Sequence, residues 1–518
     1  MKTAVRLLCF ALLTAAAQAH VGSSDVYVEG KAGPYQLFIT VRPPQVIPGV
    51  AALEIRSETP GVRELHAVPV PIAGPGAKFA PVPDKLTQSK DDPQFFTGSL
   101  WMMAPGSWQV RVTATGSQGD GVMSVPVPSA ALKTNKMQAG MGLFLSGLGL
   151  FLVTGLVAIA GASVREAKLE AGVQPNSTFK RRGRVAMGVA FVIVVAILWG
   201  GNAWWNSEAR GYSNTIYRPM QMHASLDPNG LLTLKLAESG WLEPPEGSRR
   251  ARRLSLSLVG NSVDDLVPDH NHLMHLYALR EPGLDVVYHL HPDQVGPGTF
   301  HLRLPNMPAG TYRLYADVVH ANGFPETPVA EITVPASLPG RALAGDDASG
   351  SATNWTQSST TATSFTLPDG YRMLWLRDSA PLRAKVGMPF RFKLVDQQGN
   401  APADMALYMG MLGHAAFVKT DGTVFAHIHP MGTASMAAMN LVENQTGKPA
   451  ASNANSDMSG MDMSGMDMSH MDMSSKAAAL PNEVSFPYGF PSPGRYRIFV
   501  QMKHGSTVET GVFDANVQ

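Results

Sequence analysis

Cysteine is almost absent from this sequence: Cys9 is the only one among 518 residues. With one cysteine, the chain has no internal disulfide framework to stabilise it. Thiolate metal sites downstream are excluded for the same reason, and so is a blue-copper centre, which needs a cysteine ligand. A metal site in the rest of the chain must therefore use histidine, methionine or carboxylate groups.

An excess of either charge sign is missing as well. Lysine and arginine number 41 against 40 aspartate and glutamate residues, which leaves a net charge of +1. This balance gives no electrostatic case for binding nucleic acid. The sequence also has no nucleophile elbow, phosphate-binding loop or zincin motif. We therefore predict neither a nucleic-acid partner nor an enzyme.

Two long apolar runs indicate a membrane anchor. Residues 137–160 and 185–205 each approach the ~20 residues that cross a bilayer. The connecting loop, residues 161–184, carries six basic residues, which predicts that it is cytoplasmic. Residues 1–19 combine early basic residues, an apolar stretch and a small-residue cleavage site, as in a signal peptide. The expected location is the bacterial inner membrane, with most of the chain in the periplasm.

Glycine (50) and proline (39) are abundant, and valine-rich runs alternate with Pro/Gly turns. This pattern is typical of β-sandwich modules. We predict a mainly β protein with three immunoglobulin-like β-sandwich modules and a two-helix transmembrane hairpin between the first and the second. The predicted modules are residues 20–132, 210–337 and 364–518, with a linker at 338–363 and a disordered Met-rich insertion at 447–479.

Two histidine pairs occur in matching contexts, His289-Leu-His291-Pro and His427-Ile-His429-Pro. Side chains of a strand alternate between its faces, so histidines two positions apart point the same way. The proline after each pair suits a strand end. Each pair is a plausible half of a metal site, because imidazole is the commonest metal ligand.

The turn residues predict which histidine lies opposite each pair. Asp421-Gly422 between apolar runs is a strong two-residue hairpin signal, and pairing outward from it puts His414 opposite His429. Pairing about Gly283 in the first copy puts His275 opposite His291. Residues directly opposite across a hairpin lie about 5 Å apart. Each hairpin should therefore present three histidines on one face.

A fourth histidine follows each hairpin, eight residues after Tyr312 in one copy and after Tyr496 in the other. We predict that each outer module binds one copper through its three hairpin histidines, and that His320 and His504 supply a fourth contact or support. The alternative is that the repeat duplicates a structural hydrogen-bond network. Further candidate ligands near the hairpins are His270, His272, Met409 and Met411.

Methionine is in excess, with 27 residues, and several lie in a polar low-complexity run. Thioether sulfur selects Cu(I) among common ions, and such a run has no apolar core to fill. We interpret it as a copper-capture segment, with neutral drift of a linker as the alternative. Its candidate ligands are Met458, Met461, Met463, Met466, Met468, His470, Met471 and Met473.

Cleavage after Ala19 would make His20 the new N-terminus, where a terminal amine and its imidazole can chelate Cu(II). His66 is the only other histidine of the first module and the candidate for a second ligand. This arrangement resembles the periplasmic copper-resistance C-type proteins, whose mature chain also begins with histidine. The downstream Asp-x-His motif of that family is missing here.

Five motifs resemble a bacterial family of uncharacterised membrane-anchored periplasmic proteins found in copper and heavy-metal contexts. They are Asp269-His-Asn-His-Leu-Met-His-Leu, His289-Leu-His-Pro, Asn322-Gly-Phe-Pro-Glu-Thr, Tyr408-Met-Gly-Met-Leu-Gly-His-Ala and Phe425-Ala-His-Ile-His-Pro. The first module is loosely similar to FixH- or YtkA-like periplasmic domains. The resemblance implies a sandwich fold and a metal-related context, with no established activity.

The sequence thus predicts a membrane-tethered periplasmic copper-binding protein for tolerance, storage or delivery. Zinc accepts the same imidazoles, so copper rests mainly on the methionines and on the resemblance. The expected partner besides the membrane is a copper transporter or an oxidase assembly partner. Two alternatives stay open: an assembly factor for a membrane oxidase acting through protein contacts, and a copper redox enzyme.

Overall fold

A computed structural model describes residues 24–73, 75–170, 172–243, 257–355, 362–445 and 480–518. The predicted signal peptide and the whole Met-rich insertion, residues 447–479, lie outside these residues. The chain divides into two compact units. One comprises Met1–Ala130, Arg218–Gly240 and Leu258–Gln518, and the other Ala131–Tyr217 and Trp241–Ser257.

The smaller unit contains two helices that are long and apolar enough to cross a membrane, α1 (Ala139–Glu166) and α2 (Ser177–Asn214). The side chain of Asn176 caps α2 by accepting a hydrogen bond of 3.0 Å from the backbone N–H of Phe179. Both helices extend well past the predicted apolar spans. The basic connector is therefore much shorter than predicted, because most of its charged residues are helical.

The larger unit is mainly β. Its strands follow the period-two alternation of the sequence, as in the strand Gly49–Ser57, where Leu53 and Ile55 are buried and Arg56 is exposed. The strands of residues 24–129 are β1 (Val26–Ala32), β2 (Tyr35–Arg42), β3 (Gly49–Ser57), β4 (Val62–Pro71), β5 (Asp84–Lys85), β6 (Thr87–Gln88), β7 (Phe95–Met102), β8 (Gly106–Gly116) and β9 (Gly119–Ser129).

The chain returns to strands after α2. They are β10 (Gln221–Leu226), β11 (Leu231–Ala237), β12 (Ser239–Glu243), β13 (Ser257–Asn261), β14 (Leu266–Val267), β15 (His275–Glu281), β16 (Val286–Leu290), β17 (Asp293–Gly296), β18 (Thr299–Arg303), β19 (Gly310–His320), β20 (Pro325–Glu326), β21 (Val329–Val334) and β22 (Ala348–Ser351).

The C-terminal part adds nine more strands and a short helix, α3. They are β23 (Ser364–Thr366), β24 (Arg372–Leu376), β25 (Met388–Val395), β26 (Met405–Ala406), β27 (His414–Lys419), β28 (Phe425–Ile428), α3 (Met436–Gln445), β29 (Glu483–Tyr488), β30 (Gly494–His504) and β31 (Thr507–Val517).

Each of the three β-rich segments contains a pair of sheets that share an apolar core. In the N-terminal segment a sheet ordered β1-β2-β3-β7-β6 packs on one ordered β5-β4-β8-β9. In the middle segment β10-β11-β18-β17 packs on a larger sheet that includes β14-β19-β15-β16-β22. In the C-terminal segment β23-β24-β25-β29 packs on β26-β30-β27-β28, with β31 beside β30.

A further core joins the middle and C-terminal segments. It contains Tyr277, Leu279 and Val287 from β15 and β16, and Ala416 and Val418 from β27. These residues alternate with others that face the core of their own segment, such as Leu276 and Ala415. The hairpin sheets of the two segments are therefore buried on both faces, and their outer faces meet each other.

The predicted linker, residues 338–363, is structured in part. Residues Ala348–Ser351 form strand β22, which pairs with β16 and puts Ala348 opposite His289. The Ser/Thr/Gly-rich composition predicted flexibility. The backbone of these residues is ordered instead because the edge of β16 offers it hydrogen-bonding partners.

Candidate metal centre

The structure confirms both predicted hairpin registers. Tyr277 lies opposite His289, and Ala416 lies opposite His427. The turn of the second hairpin differs from the predicted two-residue Asp421-Gly422 turn, because Gly422 N–H donates to the Lys419 carbonyl and the loop is longer, but the register is the predicted one. Each hairpin therefore brings its three histidines onto one face, with ring centroids 4.5–5.5 Å apart.

The histidine faces of the two hairpins are the same faces that meet between the segments. His275 and His289 share their face with Tyr277, and His414 and His427 share theirs with Ala416. The imidazole of His427 lies 5.3 Å from that of His275 and 5.5 Å from that of His289, between ring centroids. We call the resulting group of eight the histidine cluster: His270, His272, His275, His289, His291, His414, His427 and His429.

The predicted set of His275, His289 and His291 is present within the middle segment. The predicted set of the C-terminal segment is altered, because the packing of one outer sheet face against the other brings His270 to His414 and His429 in place of His427. Within the cluster, the described residues form two sets of three histidines whose ligand atoms all lie within 4.8 Å of one another: His275, His289 and His291, and His270, His414 and His429.

The second of these sets draws on both segments. His270 belongs to the turn before β15, and its ring lies 5.0 Å from the rings of His414 and His429. His270 and Asn271 adopt the left-handed backbone conformation, with φ of 50° and 68°. That conformation forms a tight turn closed by hydrogen bonds between the backbones of Asp269 and His272. The turn carries the His270 imidazole across to the other hairpin.

Neighbouring groups hold the imidazoles of His275 and His289 in place. His275 Nε2 lies 3.0 Å from the carbonyl oxygen of Asp269, which only accepts, so this nitrogen carries the proton. The Tyr408 hydroxyl donates to the Asp346 carbonyl at 2.7 Å, and its oxygen lies 3.3 Å from His289 Nδ1. Gln501 Oε1 lies 2.9 Å from the same His289 nitrogen.

His275 Nδ1 and His289 Nε2 face each other at 3.1 Å. Either a proton carried by His289 Nε2 or a cation bound by both nitrogens can lie between them. For metal–nitrogen bonds of ~2.0 Å, a separation of 3.1 Å corresponds to an angle of about 100° at the metal, close to tetrahedral. The pair has the geometry of two ligands of one ion.

The other histidines leave buried nitrogens without hydrogen bonds. These are Nε2 of His270, His427 and His429, and both ring nitrogens of His291 and His414. His429 Nδ1 lies 3.4 Å from the Ala434 carbonyl, so its Nε2 is the unprotonated atom. Unpaired buried polar atoms are rare in proteins because each loses its hydration without compensation. Several in one place make a site that could hold a cation.

Burial disfavours the charged form of five histidines in the cluster. Desolvation, followed by repulsion between neighbouring imidazoles, lowers the pKa of His275, His289, His414 and His427 well below the usual value. The same causes lower the pKa of His429 to about 4. Metal ions bind the neutral form of imidazole, so these five need no proton release before they bind one at neutral pH.

Each sheet also contributes a supporting residue at an equivalent position. Asp317 on β19 lies beside His275, and its Oδ2 is 3.0 Å from His427 Nδ1. Gln501 on β30 lies beside His414 and contacts His289. Burial, and then the charge of Asp269, raises the pKa of Asp317 to about 8. A residue that hydrogen-bonds one ring nitrogen of a histidine orients the other ring nitrogen toward a metal.

Two supporting aspartates come from the stretch predicted to be a linker. Asp346 Oδ2 lies 3.3 Å from His272 Nε2, and Asp347 Oδ1 lies 3.4 Å from His291 Nδ1. His272 stacks on His291 with ring centroids 3.9 Å apart. The sequence analysis did not predict these two aspartates as part of the site. The signal that could have indicated them is the pair of adjacent carboxylates in an otherwise Ser/Gly-rich stretch.

Met409 occupies the position in the C-terminal segment that His270 occupies in the middle one. Both turns close by paired backbone hydrogen bonds, between Asp269 and His272 and between Tyr408 and Met411, and Met409 has the same φ of 50° as His270. Met409 is buried beside Tyr408. Met411 correspondingly matches His272. The predicted secondary ligands are thus two histidines and two methionines at matching turn positions.

His320 and His504 do not reach the cluster, which corrects the prediction of a fourth contact. As predicted, they continue the faces of Tyr312 and Tyr496, but these faces point into the core of their own segments, opposite to the hairpin histidines. His320 instead lies 2.6 Å from Asp265 and 3.0 Å from Glu326. Burial opposes its charge, but these two carboxylates raise the pKa of His320.

The remaining predicted ligands cannot be placed around the cluster. His66 lies on β4, opposite Lys85. Its expected partner, His20, lies outside the described residues, and so do the eight candidate ligands of the Met-rich insertion, residues 458–473.

A family model named "Domain of unknown function (DUF8832)" matches residues 232–336 and 365–518, which are half of the chain. This chain belongs to the DUF8832 family. All eight histidines of the cluster fall within the matched residues. No curated protein matches the sequence.

Solved structures give weaker comparisons. A bacterial ice-binding adhesin is 7% identical, with 94% of this chain and 99% of that chain covered and a TM-score of 0.15. Native alpha-2-macroglobulin of E. coli is 9% identical, with 96% and 23% covered and a TM-score of 0.20. At these TM-scores the likeness supports no statement about fold or function.

Proposed function

We propose that this DUF8832 protein is a membrane-tethered copper-binding protein whose metal is held by the histidine cluster between its middle and C-terminal segments. The observation that carries the proposal is the convergence of buried imidazoles: the ligand atoms of His275, His289 and His291 all lie within 4.8 Å of one another, with His275 Nδ1 and His289 Nε2 3.1 Å apart. Burial lowers the pKa of His275 and His289, so they offer the neutral imidazole that binds a metal ion.

Copper is favoured over other metals by the donor set. Imidazole suits copper, zinc and nickel, and thioether selects Cu(I). Met409 and Met411 lie in the turn that precedes His414, and the Met-rich insertion adds a further thioether supply. The uncharacterised copper-associated family that the motifs resemble points the same way.

Burial favours storage or a resident metal over rapid delivery. His289 and His414 are fully buried, and His275 and His429 are each 2% exposed. Transfer of the metal to a partner protein requires that at least one of its ligands be accessible, and these four histidines have almost no exposed surface. We interpret the β-rich parts as three immunoglobulin-like modules in the periplasm, two of which enclose the metal.

The test is copper retention by the full-length protein in detergent. After metal removal, the protein should retain one copper ion for each three-histidine set on reloading and desalting. The double variant His275→Asn/His289→Asn should lose the ion of its set, whereas His223→Asn, at an exposed position on β10, should lose none. Deleting residues 457–473 in all samples removes the contribution of the Met-rich insertion. Equal copper in the double variant and its parent would refute the proposal.

A second candidate function is redox chemistry by resident copper. It is favoured by the presence of two three-histidine sets in one buried cluster, since a protein that carries a single ion needs only one such set. Electron paramagnetic resonance of the fully oxidised protein distinguishes the two. Loss of the Cu(II) signal through coupling between ions supports the redox function, and two independent Cu(II) signals support storage.

The membrane topology is tested separately. Reporter fusions at about residue 172 and just after residue 210 are expected on opposite sides of the membrane, because the apolar part of α2, residues 185–205, separates them and the positive connector favours the cytoplasm. A fusion within residues 24–129 should match the later position. Reporters at 172 and after 210 that are active on the same side would contradict a two-helix anchor.

A further inference from the structure

His504 occupies the same repeat position as His320, but its surroundings are different. His320 makes contacts of hydrogen-bond length with a carboxylate at both ring nitrogens. His504 Nε2 is buried and makes no hydrogen bond. The nearest carboxylate oxygens are Asp369 Oδ2 at 3.3 Å and Glu509 Oε1 at 3.6 Å. Direct charge-assisted hydrogen bonds are shorter, at about 2.7–2.9 Å.

These longer separations suit a shared cation. For metal–ligand bonds of about 2.1 Å, the two distances correspond to angles of roughly 105° and 120° at a metal between the atoms. The ligand atoms of Asp369, His504 and Glu509 all lie within 4.8 Å of one another. The set therefore has the spacing of three ligands of a tetrahedral ion.

The surrounding structure holds the imidazole in the required orientation. Tyr371 stacks on His504 with ring centroids 4.4 Å apart. Asp404 Oδ2 accepts a hydrogen bond of 3.5 Å from His504 Nδ1. A carboxylate on the outer nitrogen of a ligating histidine is a common feature of zinc sites.

The three residues converge from different strands. Glu509 lies on β31 next to β30, which ends at His504, and Asp369 lies in the turn between β23 and β24. Glu509 is 4% exposed, whereas 34% of the Asp369 side chain is exposed. The site therefore has a buried wall and a solvent-facing side, which allows an ion to enter and water to complete its coordination.

We propose that His504, Asp369 and Glu509 form a divalent-metal site of their own, with a preference for Zn(II) over copper. One imidazole and two carboxylates are a harder donor set than the histidine cluster, and they match the nitrogen and oxygen ligands of zinc sites. The site is independent of the proposed copper function, because none of its residues belongs to the histidine cluster.

The experiment is a zinc titration of full-length protein in detergent, stripped of metal and then loaded with copper to fill the histidine cluster. Wild type should bind one further Zn(II) per chain in competition with a chromophoric chelator. Glu509→Gln should weaken zinc binding at least ~100-fold. Replacing a residue that only supports a ligand can already cost that factor, and Glu509 is a proposed ligand. Glu331→Gln, at an exposed position on β21, is the matched control.

Asp369→Asn provides a second variant that alters a partly exposed side chain and is expected to fold normally. It should also weaken zinc binding while copper retention stays at the wild-type level. The proposal is overturned if copper-loaded wild type binds no further zinc, or if Asp369→Asn and the control bind it equally.

Discussion

The metal-free protein is expected to lose several kcal/mol of unfolding free energy as the pH falls from 7.5 to 5.5. Six buried histidines, three from each hairpin, have a pKa lowered chiefly by burial. Below pH ~6.5 the unfolded chain binds protons that the folded chain excludes, so stability is complete above this pH and declines below it. Each such histidine contributes about 1.4 kcal/mol per pH unit.

Two groups act in the opposite direction and limit the effect. The raised pKa of Asp317, about 8, means that the folded state holds a proton that the unfolded state releases. The raised pKa of His320 has the same sign. Both therefore favour folding more strongly at the lower pH, but six histidines outweigh them. The loss of unfolding free energy summed over the six histidines approaches the ~5–15 kcal/mol stability of an ordinary domain.

Urea unfolding of metal-free protein at pH 7.5, 6.5 and 5.5 measures this dependence. His427→Ala should reduce the slope of stability against pH, since it removes one buried imidazole. His223→Asn should not, because that side chain is exposed. Stability that stays level from pH 7.5 to 5.5 would show that the cluster is already charged or hydrated in the folded state.

Replacing His270 with asparagine is expected to remove one of the two metal ions and leave the other. Asparagine tolerates the left-handed backbone conformation of this position, with φ of 50°, so the turn should persist. The imidazole that reaches His414 and His429 from the other segment would be lost. We expect the copper affinity of the set His270, His414 and His429 to fall by at least ~100-fold. Replacing a residue that only supports a ligand can already cost that factor, and His270 is a proposed ligand.

Competition with a chromophoric copper chelator measures this change in full-length protein. The set formed by His275, His289 and His291 should keep its affinity, and this separates loss of a ligand from general unfolding. His270→Asn should also reduce the rise in melting temperature that copper produces, because its ion joins two segments. Unchanged binding of both ions would exclude His270 as a ligand.

Local pattern alone determined the hairpins of this protein. The Asp421-Gly422 turn and the alternation of side chains put His414, His427 and His429 on one face, and the structure has that register. The two apolar helices α1 and α2 could also be predicted from the sequence alone. A run of apolar residues long enough to cross a membrane is a property of contiguous residues. Such features depend on neighbours in the sequence, so the sequence specifies them.

Tertiary structure decided what surrounds the histidines. The meeting of two outer sheet faces merged two predicted sites into one cluster, and it depends on burial of residues such as Tyr277 and Ala416 that are far apart in sequence. The same packing brought His270 across to His414 and directed His320 and His504 into separate cores. Side-chain periodicity gives the face on which a residue lies. Which other face covers it depends on how the apolar surfaces of whole sheets pack together.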